Sequence, residues 1–246
     1  FWWCYAVVAF YNIRREQAQS TFRCAWCVGY KPYYWNTCND RRVHWRNTHY
    51  HRYLYISLIL TVLFVSKELR KKNIAEYLLY MWQVEDLLRA YNLSIDEVKS
   101  ALVAPYNLPA ESEQELLAWY ENLIEMMRIE GVKESGHLQI NKNVIINLTD
   151  LHMRLLKSPK VPFYSAAYYK ALPFIVEFRN KSNGRDKNEL ENCFDALYML
   201  WLMKVQKREI NSETAAATAE IGKFISMLAL YYKEEEEGKL NLESEE

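Results

Sequence analysis

Polar side chains interrupt the apolar faces of two predicted helices, and they are the residues best placed for chemistry. In the first helix, Glu85 lies among apolar residues that recur at helical spacing, such as Leu78, Met81 and Leu88. A carboxylate on a buried face must be paired or keep its proton, because burying an isolated charge costs free energy. Arg89 follows four residues later, and a structural ion pair between Glu85 and Arg89 is the favoured interpretation.

The fourth predicted helix carries three polar residues on its apolar face, which is more than packing requires. They are His137, Asn141 and His152. A buried carboxylate needs hydrogen-bond donors, which an imidazole or an amide can supply. The first and fourth helices are therefore predicted to be neighbours. We expect Glu85 to contact His152, His137 or Asn141, directly or through one water.

Most catalytic and metal chemistries lack their sequence signatures. His137 and His152 are separated by about 22 Å along a helix, so they cannot bind one ion. No His after residue 64 lies three or four residues from another His, and the one Glu at that distance, Glu134 before His137, falls in a predicted loop and not on a helix; glycine-rich phosphate loops are absent. Cys193 lies among apolar residues and is typical of a core thiol. The sequence therefore predicts no catalytic residues, no metal site and no cofactor.

Composition changes near residue 64. Residues 1–64 hold five of the eight Trp and four of the five Cys, with eight basic and two acidic residues. The rest of the chain has 23 basic and 29 acidic residues. An acidic domain is a poor match for nucleic acid, whose binding depends on neutralising phosphates. A single cysteine, Cys193, fits a reducing compartment, so the domain is predicted to be cytoplasmic.

The first 64 residues are interpreted as a leader of different origin. Cys24, Cys27, His44 and His49 imitate a zinc finger, but their spacing is wrong, and a chance arrangement is favoured. The apolar run at 53–65 is short for a membrane span, so contact with a membrane is expected only if this run is a real anchor. We expect the native protein to begin within a few residues of Phe64, and the leader to pack poorly.

Helical periodicity and end signals divide the remainder into six or seven helices. They are predicted at about 66–91, from 94 to before Pro105, from Pro109 to Gly131, and at about 137–156, 162–180, 187–209 and 212–233. The sixth is apolar nearly all round and is therefore predicted to be central. The residues predicted to be among the most buried are Leu78, Met81, Leu148, Leu197 and Trp201. The fold class is all-α, a single helical bundle. Its domain covers 65–234, and an acidic, frayed tail covers 235–246.

Several long runs resemble a known family. They are Asn73–Asp86, Trp119–Glu121, His137–Asn143, Leu148–His152, Phe163–Tyr169, Asn192–Tyr198 and Tyr231–Lys233. Together they are similar to the bacterial, Bacteroides-type domain-of-unknown-function family numbered 4924, over residues 65–246 only. The resemblance implies a helical fold type and a cytoplasmic bacterial setting. It implies no reaction.

Two functions remain open. The first is a soluble binding or scaffold domain without catalysis, whose protein or small-molecule partner is unknown and which could form a homo-oligomer. The alternative is a small-molecule pocket, catalytic or not, lined by Glu85, His137, Asn141, His152 and Tyr168. A pocket requires these side chains to converge on a cavity. A scaffold would place them in a filled core, with an exposed apolar patch elsewhere.

Overall fold

Seven α-helices form most of the structure. The computed structural model describes residues 66, 68–182 and 186–242. In chain order the helices are α1 (Ile74–Ala90), α2 (Ile95–Val98), α3 (Ala110–Ile129), α4 (Gln139–Lys157), α5 (Pro162–Lys181), α6 (Glu189–Val205) and α7 (Ser212–Glu236). A π-helical turn (Lys99–Val103) and a 3-10 turn (Ala104–Tyr106) join α2 to α3. Since the described residues contain no strand, the predicted all-α bundle is confirmed.

Predictions for the leader, the run at 53–65 and the last four residues lie outside the described part of the chain. Within it, no helix combines the length and the apolar character that a membrane span requires.

Side-chain caps begin four of the helices. The side chains of Asn73, Ser94, Asn188 and Asn211 accept hydrogen bonds from backbone N–H groups of α1, α2, α6 and α7 respectively. The first helix was predicted to run unbroken from residue 66. Instead, Asn73 has an extended backbone, with φ −155°, and separates helical residues 68–72 from α1. The cap is the reason for the break.

The core is built around α7, which contacts α1, α4, α5 and α6. Leu78, Met81 and Leu148 are buried, as predicted. The prediction that Leu197 and Trp201 are among the most buried residues is wrong, because both are half-buried. The second half of α6 lies at the edge of the bundle, where the Trp201 ring stacks on Tyr198 with centroids 5.4 Å apart.

Helices α1 and α4 contact one another, which confirms their predicted proximity. Helix α4 begins two residues later than predicted, so His137 precedes the helix instead of lying on it. The loop between α3 and α4 contains Gly131 and Gly136 at φ +70° and +88°. Glycine adopts these left-handed angles without the strain that a side chain would cause.

Candidate functional site at the start of α4

Glu85 is a buried carboxylate at the contact between α1 and α4, with 1% of its surface exposed. Its Oε1 accepts hydrogen bonds from the backbone N–H of Leu138 at 3.0 Å and from Nδ2 of Asn141 at 2.7 Å. Its Oε2 lies 2.7 Å from Nδ1 of His137. The prediction that Glu85 contacts His137 or Asn141 is therefore confirmed, and both contacts are direct.

The same bonds make Glu85 a cap for α4. Leu138 occupies the N-cap position, and its side chain cannot accept a hydrogen bond from the first turn. Glu85 accepts the N–H of Leu138 instead, and Glu130 accepts the N–H of Gln139 at 2.6 Å. Two carboxylates thus lie at the positive end of the α4 dipole, where negative charge is stabilised. This arrangement explains how a carboxylate can be buried here.

His137 lies between the Glu85 carboxylate and an indole ring. The rings of His137 and Trp82 stack with centroids 4.0 Å apart and planes inclined by 11°. When Nδ1 of the neutral imidazole donates to Glu85, Nε2 is left as a hydrogen-bond acceptor. The side chain retains 17% exposure. Nε2 of His137 can therefore accept a hydrogen bond.

Arg89 does not pair with Glu85, so that prediction is wrong. Its guanidinium binds Asp86 at 2.7 Å and donates to the backbone carbonyls of Val132 and Gly136. Glu85 already accepts three hydrogen bonds from the start of α4, whereas Asp86 lies on the outer side of α1, three residues from Arg89. Arg89 therefore fastens the α3–α4 loop to α1.

Tyr198 of α6 also binds Asp86, the partner of Arg89 on the outer side of α1. Its hydroxyl donates to Asp86 at 2.7 Å. Burial, and secondly the adjacent Asp86 carboxylate, raise the pKa of Tyr198 well above its usual value. The phenol therefore stays protonated and acts as a donor near neutral pH.

Two buried polar atoms beside Glu85 lack a hydrogen-bond partner among the described residues. They are Nε1 of Trp82, a donor, and Oδ1 of Asn141, an acceptor. Trp82 is 1% exposed and Asn141 is 0% exposed. A buried polar atom without a partner is costly, so a water or a small polar group that reached either atom would be stabilising.

His152 belongs to a separate aromatic cluster, so its predicted contact with Glu85 is not formed. Its Nδ1 lies 2.6 Å from the hydroxyl of Tyr164, and its ring packs edge-on against Tyr168 and Phe224. Burial lowers the pKa of His152 to about 4, so the imidazole is neutral at pH 7. The five residues proposed to line one pocket therefore fall into two groups.

Nucleophilic chemistry has no support at Cys193. The thiol is fully buried in α6, and burial, followed by the nearby Glu189 carboxylate, raises its pKa. A protonated buried thiol is a poor nucleophile. Within the described residues, no three His, Cys, Asp or Glu side chains are grouped so that they could hold a metal ion.

Three residues of these clusters were not identified as site residues from the sequence: Trp82, Asp86 and Tyr198. Trp82 precedes Glu85 by three residues, which places both on neighbouring parts of one helical face. That spacing was the available signal for Trp82. The partnership of Tyr198 with Asp86 joins positions 112 residues apart, and periodicity carries no signal for it.

One comparison with known proteins identifies a family. A family model described as "Domain of unknown function (DUF4924)" matches residues 63–239. The chain belongs to this family. No curated protein and no solved structure matches it. The DUF4924 match covers every helix described above, including the Glu85 site.

Proposed function

We propose that this DUF4924 protein is a non-catalytic binding domain that associates through one face of α5. The observation that carries the proposal is a continuous row of exposed, uncharged residues along that helix. We name this row the α5 seam; it consists of Pro162, Ala166, Tyr169, Pro173, Val176 and Asn180. Tyr169 is 63% exposed and Val176 is 44% exposed.

The seam is an uncharged row on the exposed side of α5, and the charged residues Lys170 and Glu177 lie beside it. The solvent side of a surface helix normally carries charged and polar residues throughout. The six seam residues extend over about 27 Å at the rise of an α-helix. Apolar surface in one contiguous patch is typical of interaction sites, whereas scattered apolar residues need no explanation.

The interior polar groups are consistent with a structural role. Glu85, Asn141 and Arg89 are engaged in holding α4 and its preceding loop. His152 is neutral and bonded to Tyr164 in the core. The described clusters contain no activated nucleophile, because the Cys193 thiol is protonated. A cytoplasmic bacterial setting is part of this proposal, supported by the free, buried Cys193.

The small-molecule alternative keeps one supporting observation, the unpartnered atoms of Trp82 and Asn141. A ligand there would offer an acceptor to Nε1 of Trp82 and a donor to Oδ1 of Asn141. It would also lie next to His137. His152 and Tyr168 would not contribute, since they contact each other and Phe224 instead.

Site-specific photo-cross-linking tests the proposed function. A benzophenone amino acid replaces Tyr169 in the full chain, and the cells that express it are irradiated. We expect a covalent adduct of defined mass that is lost when Val176→Lys places a charge in the same seam. Ile146 of α4, 51% exposed, is the matched control position. Equal labelling from both positions, or an adduct at 169 that survives Val176→Lys, would contradict the proposal.

A further inference from the structure

We infer that the α5 seam binds the same seam of a second copy of this chain, with the two helices antiparallel. This inference rests on the proposed function and names its partner. Three observations support it: the spacing of the seam residues, the charges along one flank of the seam, and the register that brings both together.

The spacing of the seam is that of a coiled-coil interface. Successive seam residues are separated by four, three, four, three and four positions. Each pair of successive steps spans seven residues, as in a coiled-coil heptad, and this pattern keeps one narrow row facing a partner helix. A helix that only packs against its own domain needs a broader apolar face on the inner side, not a second narrow one outside. The outer face of α5 therefore suits another helix.

The flank of the seam carries complementary charges. Lys170 and Glu177 each follow a seam residue directly, Tyr169 and Val176, so both occupy the same flank, seven residues apart. In an antiparallel helix pair, equivalent flanks face one another. Lys170 of each copy can therefore face Glu177 of the other, and the two-fold symmetry forms this pair twice.

Both side chains are accessible for this contact. Lys170 is 65% exposed and lies 3.1 Å from Glu220, while Glu177 is 44% exposed and pairs with Lys181. Exposed ion pairs within one chain contribute little to stability. Rearranging them to face a second copy therefore costs little.

One register pairs the last four seam residues and the flank together, while Pro162 and Ala166 lie beyond the overlap of the two helices. It sets Val176 against Pro173 of the second copy and Tyr169 against Asn180. The same register brings Lys170 opposite Glu177. A seam that fits its own copy in this way is self-complementary, as a two-fold interface requires. A single pair of helices is a small interface, so we expect a dissociation constant on the order of micromolar.

Charge reversal on the full chain tests the partner and the orientation. Lys170→Glu places Glu against Glu in both pairs, and Glu177→Lys places Lys against Lys. We expect each variant to dimerise about tenfold or more weakly than the unchanged chain, by sedimentation equilibrium at low salt. An equimolar mixture of the two should form a heterodimer, because each pair is then attractive again. The double variant Lys170→Glu/Glu177→Lys should also dimerise.

Lys142→Glu on α4 and Glu121→Lys on α3 are the matched controls, since both residues are exposed on other helices. They should dimerise like the unchanged chain, and circular dichroism checks the folding of every variant. A monomeric chain at about a hundred micromolar would overturn the inference. So would two reversed variants whose mixture does not associate.

The dimerisation and cross-linking results together distinguish a failure of this inference from a failure of the proposed function. A monomer that still gives a Val176-sensitive adduct from position 169 with a different protein overturns only the second copy as partner. A monomer without such an adduct overturns both. A dimer rescued by mixing, with an adduct between two copies, supports both.

Discussion

Nδ1 of His137 lies 2.7 Å from Oε2 of Glu85, and this contact joins the end of a glycine-bounded loop to the middle of α1. The other carboxylate oxygen of Glu85 accepts from Leu138 and Asn141. Three consecutive structural parts, the loop, the N-cap and the first turn of α4, therefore depend on one buried side chain. The stability of this junction should be sensitive to the carboxylate itself.

We expect Glu85→Gln to lower the free energy of unfolding by about 1–3 kcal/mol. Glutamine has nearly the same shape but replaces one acceptor oxygen with an NH2 group. That group would face the donors of His137 or of Leu138 and Asn141 and leave a buried donor unsatisfied. Urea denaturation measures the loss. Glu121→Gln, at an exposed position of α3, is the control and should change stability by less than about 0.5 kcal/mol.

Leu148→Ala should destabilise the protein by about 2–5 kcal/mol. Leu148 is 1% exposed on the inner face of α4, and truncation leaves a cavity. Ile146 lies two residues earlier on the same helix but is 51% exposed. Ile146→Ala should therefore cost far less, within about 0.5 kcal/mol. Similar losses for the two variants would mean that α4 is rotated about its axis.

His152 should make stability depend on pH. Burial lowers its pKa from 6.5 to about 4 in the folded chain. Between these values the unfolded chain binds a proton that the folded chain does not, so stability falls as pH drops from 6.5 towards 4. The contribution is fully present above pH 6.5 and is lost as pH falls through about 4. The slope reaches at most about 1.4 kcal/mol per pH unit.

Urea unfolding of the native chain and of His152→Gln, from pH 7 to about pH 4, isolates this effect. The variant should show the shallower dependence, because position 152 no longer binds a proton. NMR titration of the folded chain gives a second measurement that does not depend on the variant. An imidazole of His152 that titrates near pH 6.5 would contradict the assignment of a neutral buried ring.

Helical periodicity predicts whether a side chain faces the core better than it predicts which residue that side chain contacts. It placed Glu85, Asn141 and His152 on inward faces, and all three are buried. It could not give position along the bundle. The helical rise that puts His137 and His152 about 22 Å apart also separates His152 from the residues near Glu85. Glu85 contacts the start of α4, and His152 lies near its other end with Tyr164.

The predicted ion pair between Glu85 and Arg89 fails because Arg89 binds backbone carbonyls instead. Spacing along one helix predicts contacts only between side chains of that helix. The Arg89 guanidinium instead donates to carbonyls that the α3–α4 loop brings back towards α1. The loop takes that path through Gly131 and Gly136, both at positive φ. The glycines can be read from the sequence, but the direction in which the neighbouring backbone carbonyls point cannot.

The apolar composition of α6 also predicts the wrong position for this helix in the bundle. Its apolar character predicted a central helix, yet Met199 is 49% exposed and Trp201 is half-buried. The central helix is instead α7, which contacts α1, α4, α5 and α6 and carries more charge at its ends. The apolar content of a helix shows how much of its surface favours burial. The helices that pack against it determine how much of that surface is buried.

Arg89→Lys should loosen the α3–α4 loop while α1 remains folded. A guanidinium can donate to Asp86 and to both loop carbonyls at once, because its five N–H groups point in fixed directions. The ammonium of lysine keeps the charge but cannot reach three acceptors arranged around a plane. We expect faster hydrogen exchange at the loop amides of residues 131–138, measured by mass spectrometry.

Arg128→Lys is the matched control for Arg89→Lys. Arg128 of α3 also donates to a backbone carbonyl, but to that of Leu93 and not to the α3–α4 loop carbonyls that Arg89 holds. Its replacement should leave exchange at 131–138 unchanged. If Arg89→Lys also leaves that exchange unchanged, Glu85 alone holds the junction through Leu138. In that case Glu85→Gln should accelerate exchange in the same segment, because no second contact would fasten the loop to α1.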